Sequence, residues 1–271
     1  MKPKPLYTKQ CPEFWALVRH ASEQIGYSKR TKRDEPKSLR RYTYDELGKF
    51  SKKLGIDDGM MRRVTRYMNY RADVLESHVE KQLMNRRVAE KHFNKLMTKY
   101  KPKCHLPFNK QKGPKRHHAY FTCIINILTE VTLGKTTFDD NPGQLSTIKD
   151  TKGKLVATLS RRIDGAYPEV ENPSTVWEVK EYYGTTTFGS RVADGVYETQ
   201  LDGYEINEAA KLASRRVEHY LLVDDYFTWW DCGRSYLCRL IDAMHMGLVD
   251  EVIFGREVLV RWPDIVSKWP K

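Results

Sequence analysis

The chain of 271 residues carries 47 Lys+Arg against 35 Asp+Glu, a formal net charge of +12, and 40% of its residues are hydrophobic. That apolar content fills a core and excludes disorder as the default, and no run of about 18 apolar residues is present to span a bilayer. The five cysteines, Cys11, Cys104, Cys123, Cys232 and Cys238, are odd in number and irregularly spaced; with an N-terminal stretch that lacks a signal peptide's apolar centre, they predict reduced thiols and a cytoplasmic protein with no membrane association.

The charge is unevenly divided. Residues 1–118 hold 30 Lys+Arg against 12 Asp+Glu, which leaves 17 against 23 for residues 119–271. A strongly basic segment joined to a mildly acidic one predicts a polyanion-binding half and a half with its own chemistry. The basic half reads as all-α: apolar residues recur at three- and four-residue spacing through 11–26, 42–55 and 58–100, with turns at glycines. Within it, residues 44–70 have the spacing of a helix-turn-helix. Gly55 sits at the turn after the small Ser51, with Phe50, Leu54, Ile56, Met61 and Val64 at the apolar positions and Arg62, Arg63 and Arg66 facing outward for DNA contact. Residues 99–118 contain three prolines, a glycine and many cations. They mark the domain join at 118, and Lys110, Lys112, Lys115 and Arg116 there suit a phosphate backbone. Cys104, His105, His117 and His118 lack the CxxC spacing of a structural zinc site.

Downstream, 118–134 reads as a buried helix, 154–165 and 174–183 as strands, and 190–216 as a long helix. Residues 217–225 read as a strand, 234–249 as a helix and 251–262 as a strand. Strands interleaved with helices predict an α/β architecture with a mixed central sheet flanked by helices. Trp229 and Trp230 read as packing residues, and His219 as a satisfied residue at a strand's start. Alternation places Asp164 at the end of the first strand, turned away from its apolar side, and puts Glu178 and Lys180 on one face of the second. The intervening glycine and prolines can return the chain antiparallel, bringing Asp164 and Glu178 to one end of the sheet. Two carboxylates at one spot repel unless a cation lies between them, and hard oxygen ligands suit Mg²⁺. With Lys180 alongside, the set has the makings of a phosphodiester hydrolysis site.

Asp164 followed by Glu178-Val179-Lys180 resembles the motif of the PD-(D/E)xK nuclease superfamily, although Ile163 stands where the motif has proline. The resemblance implies a restriction-endonuclease-like core in residues 119–271, with Asp164, Glu178 and the Val179 carbonyl as metal ligands and Lys180 as the catalytic lysine. Glu130 resembles the helix-borne acid of some members, and Gln200 with Tyr204 matches the QxxxY element of RecB-like members. The reading that follows is a Mg²⁺-dependent type II restriction endonuclease acting on double-stranded DNA as a homodimer. The alternatives are a RecB-like repair or recombination nuclease and a DNA-binding regulator with an inactive nuclease fold.

Overall fold

The computed structural model describes residues 1–28, 38–113, 116–184 and 189–270, and the backbone alone of 50–53. Lys115 and the side chains of Phe50 and Ser51 therefore lie outside the described residues. The described residues among the first hundred are mainly helical. α1 (Pro5–Thr8) and α2 (Pro12–Ile25) open on prolines, whose missing N–H removes no hydrogen bond in a first turn. α2 buries Phe14, Trp15, Leu17, Val18 and Ala21, in one cluster with Tyr67 and Met68. α3 (Tyr44–Leu54) and α4 (Asp58–Val74) meet at Gly55, whose φ of 64° is left-handed backbone that glycine adopts freely, and the Asp57 carboxylate caps α4 by accepting the Met60 N–H. Met61 and Val64 are buried in the angle between them, whereas Leu54 is largely exposed.

The helical pattern over 58–100 is not one helix. After α4 the chain passes through a π turn at Leu75–Val79 and the short α5 (Glu80–Gln82), turns extended at Leu83, and restarts as α6 (Arg86–Tyr100) under an Asn85 cap. α6 packs on α7 (Tyr120–Leu133), and its Ala89 and Phe93 join the cluster that holds Phe121, Ile124 and Leu128.

The described residues form a mixed α/β structure with two small sheets. β1 (Thr147–Lys149) and β2 (Leu155–Thr158) form an antiparallel pair. β3 (Gly165–Tyr167), β4 (Thr175–Glu181), β5 (Glu218–Asp224) and β6 (Glu251–Phe254) form a sheet in that order, with β3 antiparallel to β4 and the remaining pairs parallel. α8 (Ser190–Ala213) links β4 to β5, and α9 (Arg234–His245) lies between β5 and β6. Trp177, Tyr220, Leu222 and Ile253 pack on α7 and on α10 (Val258–Val266). On the other face, Leu221, Val223, Val252 and Phe254 pack on α8, α9 and the π turn that carries Trp229 and Trp230.

Two strand expectations need correction. The expected strand at 154–165 is two elements in two sheets. β2 ends at Thr158, and Glu205 of α8 then draws the chain aside by accepting from the Ser160 N–H at 2.9 Å, so Asp164 leads into β3 rather than ending β2. The expected strand at 251–262 stops at Phe254. There Gly255 turns the chain at φ 44°, the Glu257 carboxylate accepts the Phe254 N–H, and the apolar residues that follow bury one helical face, Val258, Trp262, Ile265 and Val266.

Candidate active site

In the β3–β4 ladder Gly165 lies opposite Trp177, Ala166 opposite Val176 and Tyr167 opposite Thr175. Asp164, one step outside, still engages β4: its N–H donates to the Trp177 carbonyl at 3.2 Å, and its Oδ2 accepts the Val179 N–H at 2.7 Å. Only glycine fits next to it, since a Cβ on Gly165 would stand 2.1 Å from the Trp177 indole. Asp164 is thereby clipped beside Glu178 on the neighbouring strand. Alternation along β4 turns Trp177 and Val179 to the α7 face and Glu178 and Lys180 to the α8 face.

Glu178 is fully buried and Lys180 nearly so. The Lys180 ammonium lies 3.0 Å from Glu178 Oε2 and 2.8 Å from Glu198 Oε2. Its backbone is held as well, because Trp229 Nε1 donates to the Lys180 carbonyl at 3.2 Å. Gly195 makes room for the lysine stem, since a Cβ there would stand 2.8 Å from the Tyr182 hydroxyl and 3.4 Å from Lys180 Cδ. Arg161, in the link between β2 and β3, completes the cluster. Its Nη1 is 2.7 Å from Asp202 Oδ2 and 3.0 Å from Glu178 Oε1, and its Nη2 is 3.3 Å from Glu198 Oε2.

The electrostatics follow from four carboxyls sharing two cations. Asp164 opens to solvent on one side, yet its carboxyl is enclosed enough that desolvation, reinforced by the Glu178 charge, pushes its pKa up to about 7. Asp202 rises to about 7 for the same two reasons. Burial on its own lowers the pKa of Lys180, but the Glu178 and Asp164 charges outweigh it and hold the ammonium above its ordinary value. Glu198 is partly desolvated, which raises its pKa, but the Lys180 hydrogen bond and the charges of Lys180, Arg161 and Lys110 leave it below the usual carboxylate value. His219 begins β5 on the same sheet face. Its Nδ1–H donates to the Leu248 carbonyl at 2.9 Å, burial lowers its pKa, and its buried Nε2 has no hydrogen-bond partner.

Arg161, Glu198 and Asp202 were not singled out in the sequence. Glu198 and Asp202 stand four apart on α8, the spacing that Gln200 and Tyr204 also have two residues further on. Two residues are about 200° of helix, so the faces differ. Gln200 lines a cleft with Arg19, Tyr27, Tyr197 and Arg239, and Tyr204 is exposed. Glu130 binds the Lys103 N–H through both carboxylate oxygens, at 3.0 and 3.1 Å. It is Glu181 that reaches the N-terminus of α7, where it accepts the Phe121 N–H at 2.9 Å and the Thr122 hydroxyl at 2.8 Å. Along the helix axis Glu130 is about 14 Å from that end.

Arg62, Arg63 and Arg66 are exposed on α4, and the Arg62 guanidinium lies 4.5 Å from the Tyr44 ring centroid. Lys110, Lys112 and Arg116 are exposed on a loop anchored to the end of β4 by the Gln111 amide, which donates to the Gly184 carbonyl at 3.2 Å. Among the described residues, no group of three or more His, Cys, Asp and Glu is arranged to hold a metal ion, and no helix is long and apolar enough to cross a membrane. The His117 and His118 rings stack on Tyr120 and Phe108.

Residues 84–269 match the model of a family described as Domain of unknown function (DUF7687), and residues 1–78 match one described as Domain of unknown function (DUF7690). No curated protein and no solved structure matches the chain.

Proposed function

We propose that this chain, which belongs to the DUF7687 family, is a Mg²⁺-dependent nuclease that hydrolyses the phosphodiester bonds of double-stranded DNA. The observation that carries the reading is the meeting of Asp164, Glu178 and Lys180 on adjacent strands, with Asp164 clipped to the Val179 N–H and Lys180 on Glu178. The donor set fits the cation. Mg²⁺ keeps most of its waters and needs only one or two protein carboxylates, and Glu178 Oε1 is buried without a hydrogen-bond partner. Asp164, Glu178 and the Val179 carbonyl would hold it. When bound, the cation polarises the phosphate and acidifies water.

The rest of the work falls to the chain itself. Lys180 is kept protonated by its carboxylate neighbours, so it stabilises negative charge developing on the phosphate rather than removing a proton. Lys110 lies close enough for its charge to act on Glu198, which supports a role for its loop in guiding a phosphate backbone past the site. Arg62, Arg63 and Arg66 provide a second cationic surface. The succession of α7, β3, β4, α8 and β5, with β5 parallel to β4, supports a restriction-endonuclease-like core. Symmetric double-strand cleavage calls for two such sites, hence a homodimer.

Purified protein incubated with unmethylated plasmid and Mg²⁺ should yield discrete fragments, and end sequencing reads the cut site. Asp164→Ala and Lys180→Ala should each lower the rate by at least about a hundredfold while binding the same duplex within about threefold of the unaltered protein. Cleavage retained in both variants would sink the assignment. End-dependent degradation of linear DNA would instead favour a processing nuclease. The feature that would motivate that reading structurally, Gln200 beside Lys180, is not what α8 presents; Glu198 stands there, and Asp202 meets Arg161.

A further inference from the structure

Among the described residues Arg161 is the cation that touches three carboxylates of the site, and it is more exposed than the arginine of a permanent buried ion pair. Arg71 supplies the contrast. It is 1% exposed, and its guanidinium makes aligned hydrogen bonds to Asp242 at 2.7 Å and to Ser22 at 3.1 Å. The Arg161 side chain is 24% exposed; it donates a hydrogen bond to Asp202 Oδ2 at 2.7 Å and forms an ion pair with Glu178 Oε1 at 3.0 Å. That oxygen, on a fully buried side chain, has no hydrogen-bond partner, and neither has Oδ1 of the equally buried Asp202. The guanidinium lies on the Glu178 oxygen and on the other oxygen of Asp202.

In the free protein Lys180 is paired with Glu178 and Glu198. Asp164, Glu178, Glu198 and Asp202 therefore face Lys180 and Arg161 with two carboxyls more than there are cations. The backbone beside Arg161 is tied down, since Ser160 is held by Glu205, but the Arg161 side chain reaches the cluster from its solvent side. A doubly charged ion at short range attracts those carboxylates more strongly than a single, delocalised guanidinium charge does.

We propose that Arg161 is an internal stand-in for the divalent cation: its guanidinium holds the Glu178 and Asp202 carboxylates together in the metal-free protein, and yields Glu178 when the cation binds. Once released, it faces the open side of the site, where a phosphate arrives. Arg161 is thus a positioning residue in the free protein and a phosphate ligand in the loaded one. The displacement breaks and forms no covalent bond. The inference rests on the nuclease reading for the identity of the phosphate, but its metal-binding part is tested separately.

The test is calorimetric titration of DNA-free protein with Mn²⁺, comparing the unaltered chain with Arg161→Met, with plasmid cleavage measured in parallel. A competing cation that is removed no longer opposes metal binding, so Arg161→Met should bind Mn²⁺ at least about fivefold more tightly while cleaving at least about tenfold more slowly. A merely structural arginine predicts the opposite sign for the metal, since a loosened site binds it less well. Unchanged or weaker Mn²⁺ binding by folded Arg161→Met overturns the stand-in role. If that variant fails to fold, Arg161→Lys keeps the charge on a shorter reach and should bind Mn²⁺ more tightly than the unaltered chain, and weaker binding overturns the role. Tighter Mn²⁺ binding by the variant, with no DNA cleaved by the unaltered chain, would remove the nuclease reading and leave the stand-in. Cleavage by the unaltered chain with no gain in Mn²⁺ affinity would do the reverse.

Discussion

Asp224 closes β5 with its carboxyl sealed in the core, where one oxygen accepts the Met84 N–H at 2.7 Å and the other accepts the Tyr183 hydroxyl. Desolvation dominates there and pushes its pKa up to about 8. A carboxyl whose pKa is higher folded than unfolded holds a proton that the unfolded chain gives up. Its contribution to stability is complete below about pH 4 and fades as pH rises through about 8. In EDTA, the melting temperature of Asp224→Asn should therefore fall less than that of the unaltered chain between those limits; parallel profiles would show that Asp224 does not titrate this way. At this scale the sequence was informative where chemistry is written in residue type. Glu178 and Lys180 could be placed together because strand alternation fixes which side chains share a face, whereas Asp164 lies beyond the end of β2 and owes its place to its hydrogen bonds with β4. Arg161 could not, because it sits in a link whose path depends on Glu205, forty-odd residues away. Glu181, without an evident role in its strand, proved to be the cap of a helix sixty residues earlier.

Gly203 shows how one missing methyl group sets the place of an element. A Cβ there would stand 2.3 Å from the Leu248 carbonyl oxygen and 2.7 Å from its Cβ, so α8 lies against the turn after α9 only because position 203 has no side chain. Gly203→Ala removes an intrinsic helix penalty of about 1 kcal/mol, but forces backbone atoms apart at a cost of about 1–3 kcal/mol. Chemical denaturation should show a net loss of stability, and a gain would mean that the contact relaxes freely. The same crowding explains a limit on reading this helix from sequence. Two internal glycines weaken a helix signal, and apolar residues lie on both faces, Val192 and Val196 inward and Tyr197 and Leu201 outward. The existence of α8 was legible from its length, but its rotation was not, which is why the residues facing Lys180 and Arg161 are Glu198 and Asp202. The ends of β2 and β6 were hidden for a related reason. Short apolar runs are compatible with strand and helix alike, and side-chain capture at Ser160 and Phe254 decided where each strand stops.

Across the whole molecule, the N-terminal helices are bolted to the α/β part at Asp242 of α9. Its two carboxylate oxygens accept from the Tyr67 hydroxyl at 2.6 Å and from Arg71 at 2.7 Å, both on α4. Asp242→Ala leaves the Arg71 guanidinium buried without its counter-ion, a change that costs about 3–5 kcal/mol in comparable sites. Urea unfolding should register a loss of that order, and a change within about 0.5 kcal/mol would show the seam to be held by packing alone. The two family matches meet between residues 78 and 84, whereas composition divides the chain at 118. Charge runs report what a surface attracts and not which helices share a core: the basic α6 packs on α7 through Ala89 and Phe93.

The bond from the Trp229 indole to the Lys180 carbonyl has an optical consequence. An indole N–H hydrogen-bonded to the peptide group of the central lysine ties an intrinsic fluorophore to the strand that bears Glu178. Any movement of that strand, whatever causes it, alters the polarity around the ring. The chain has six tryptophans, so the difference in emission between the unaltered chain and Trp229→Phe isolates this buried reporter without a label.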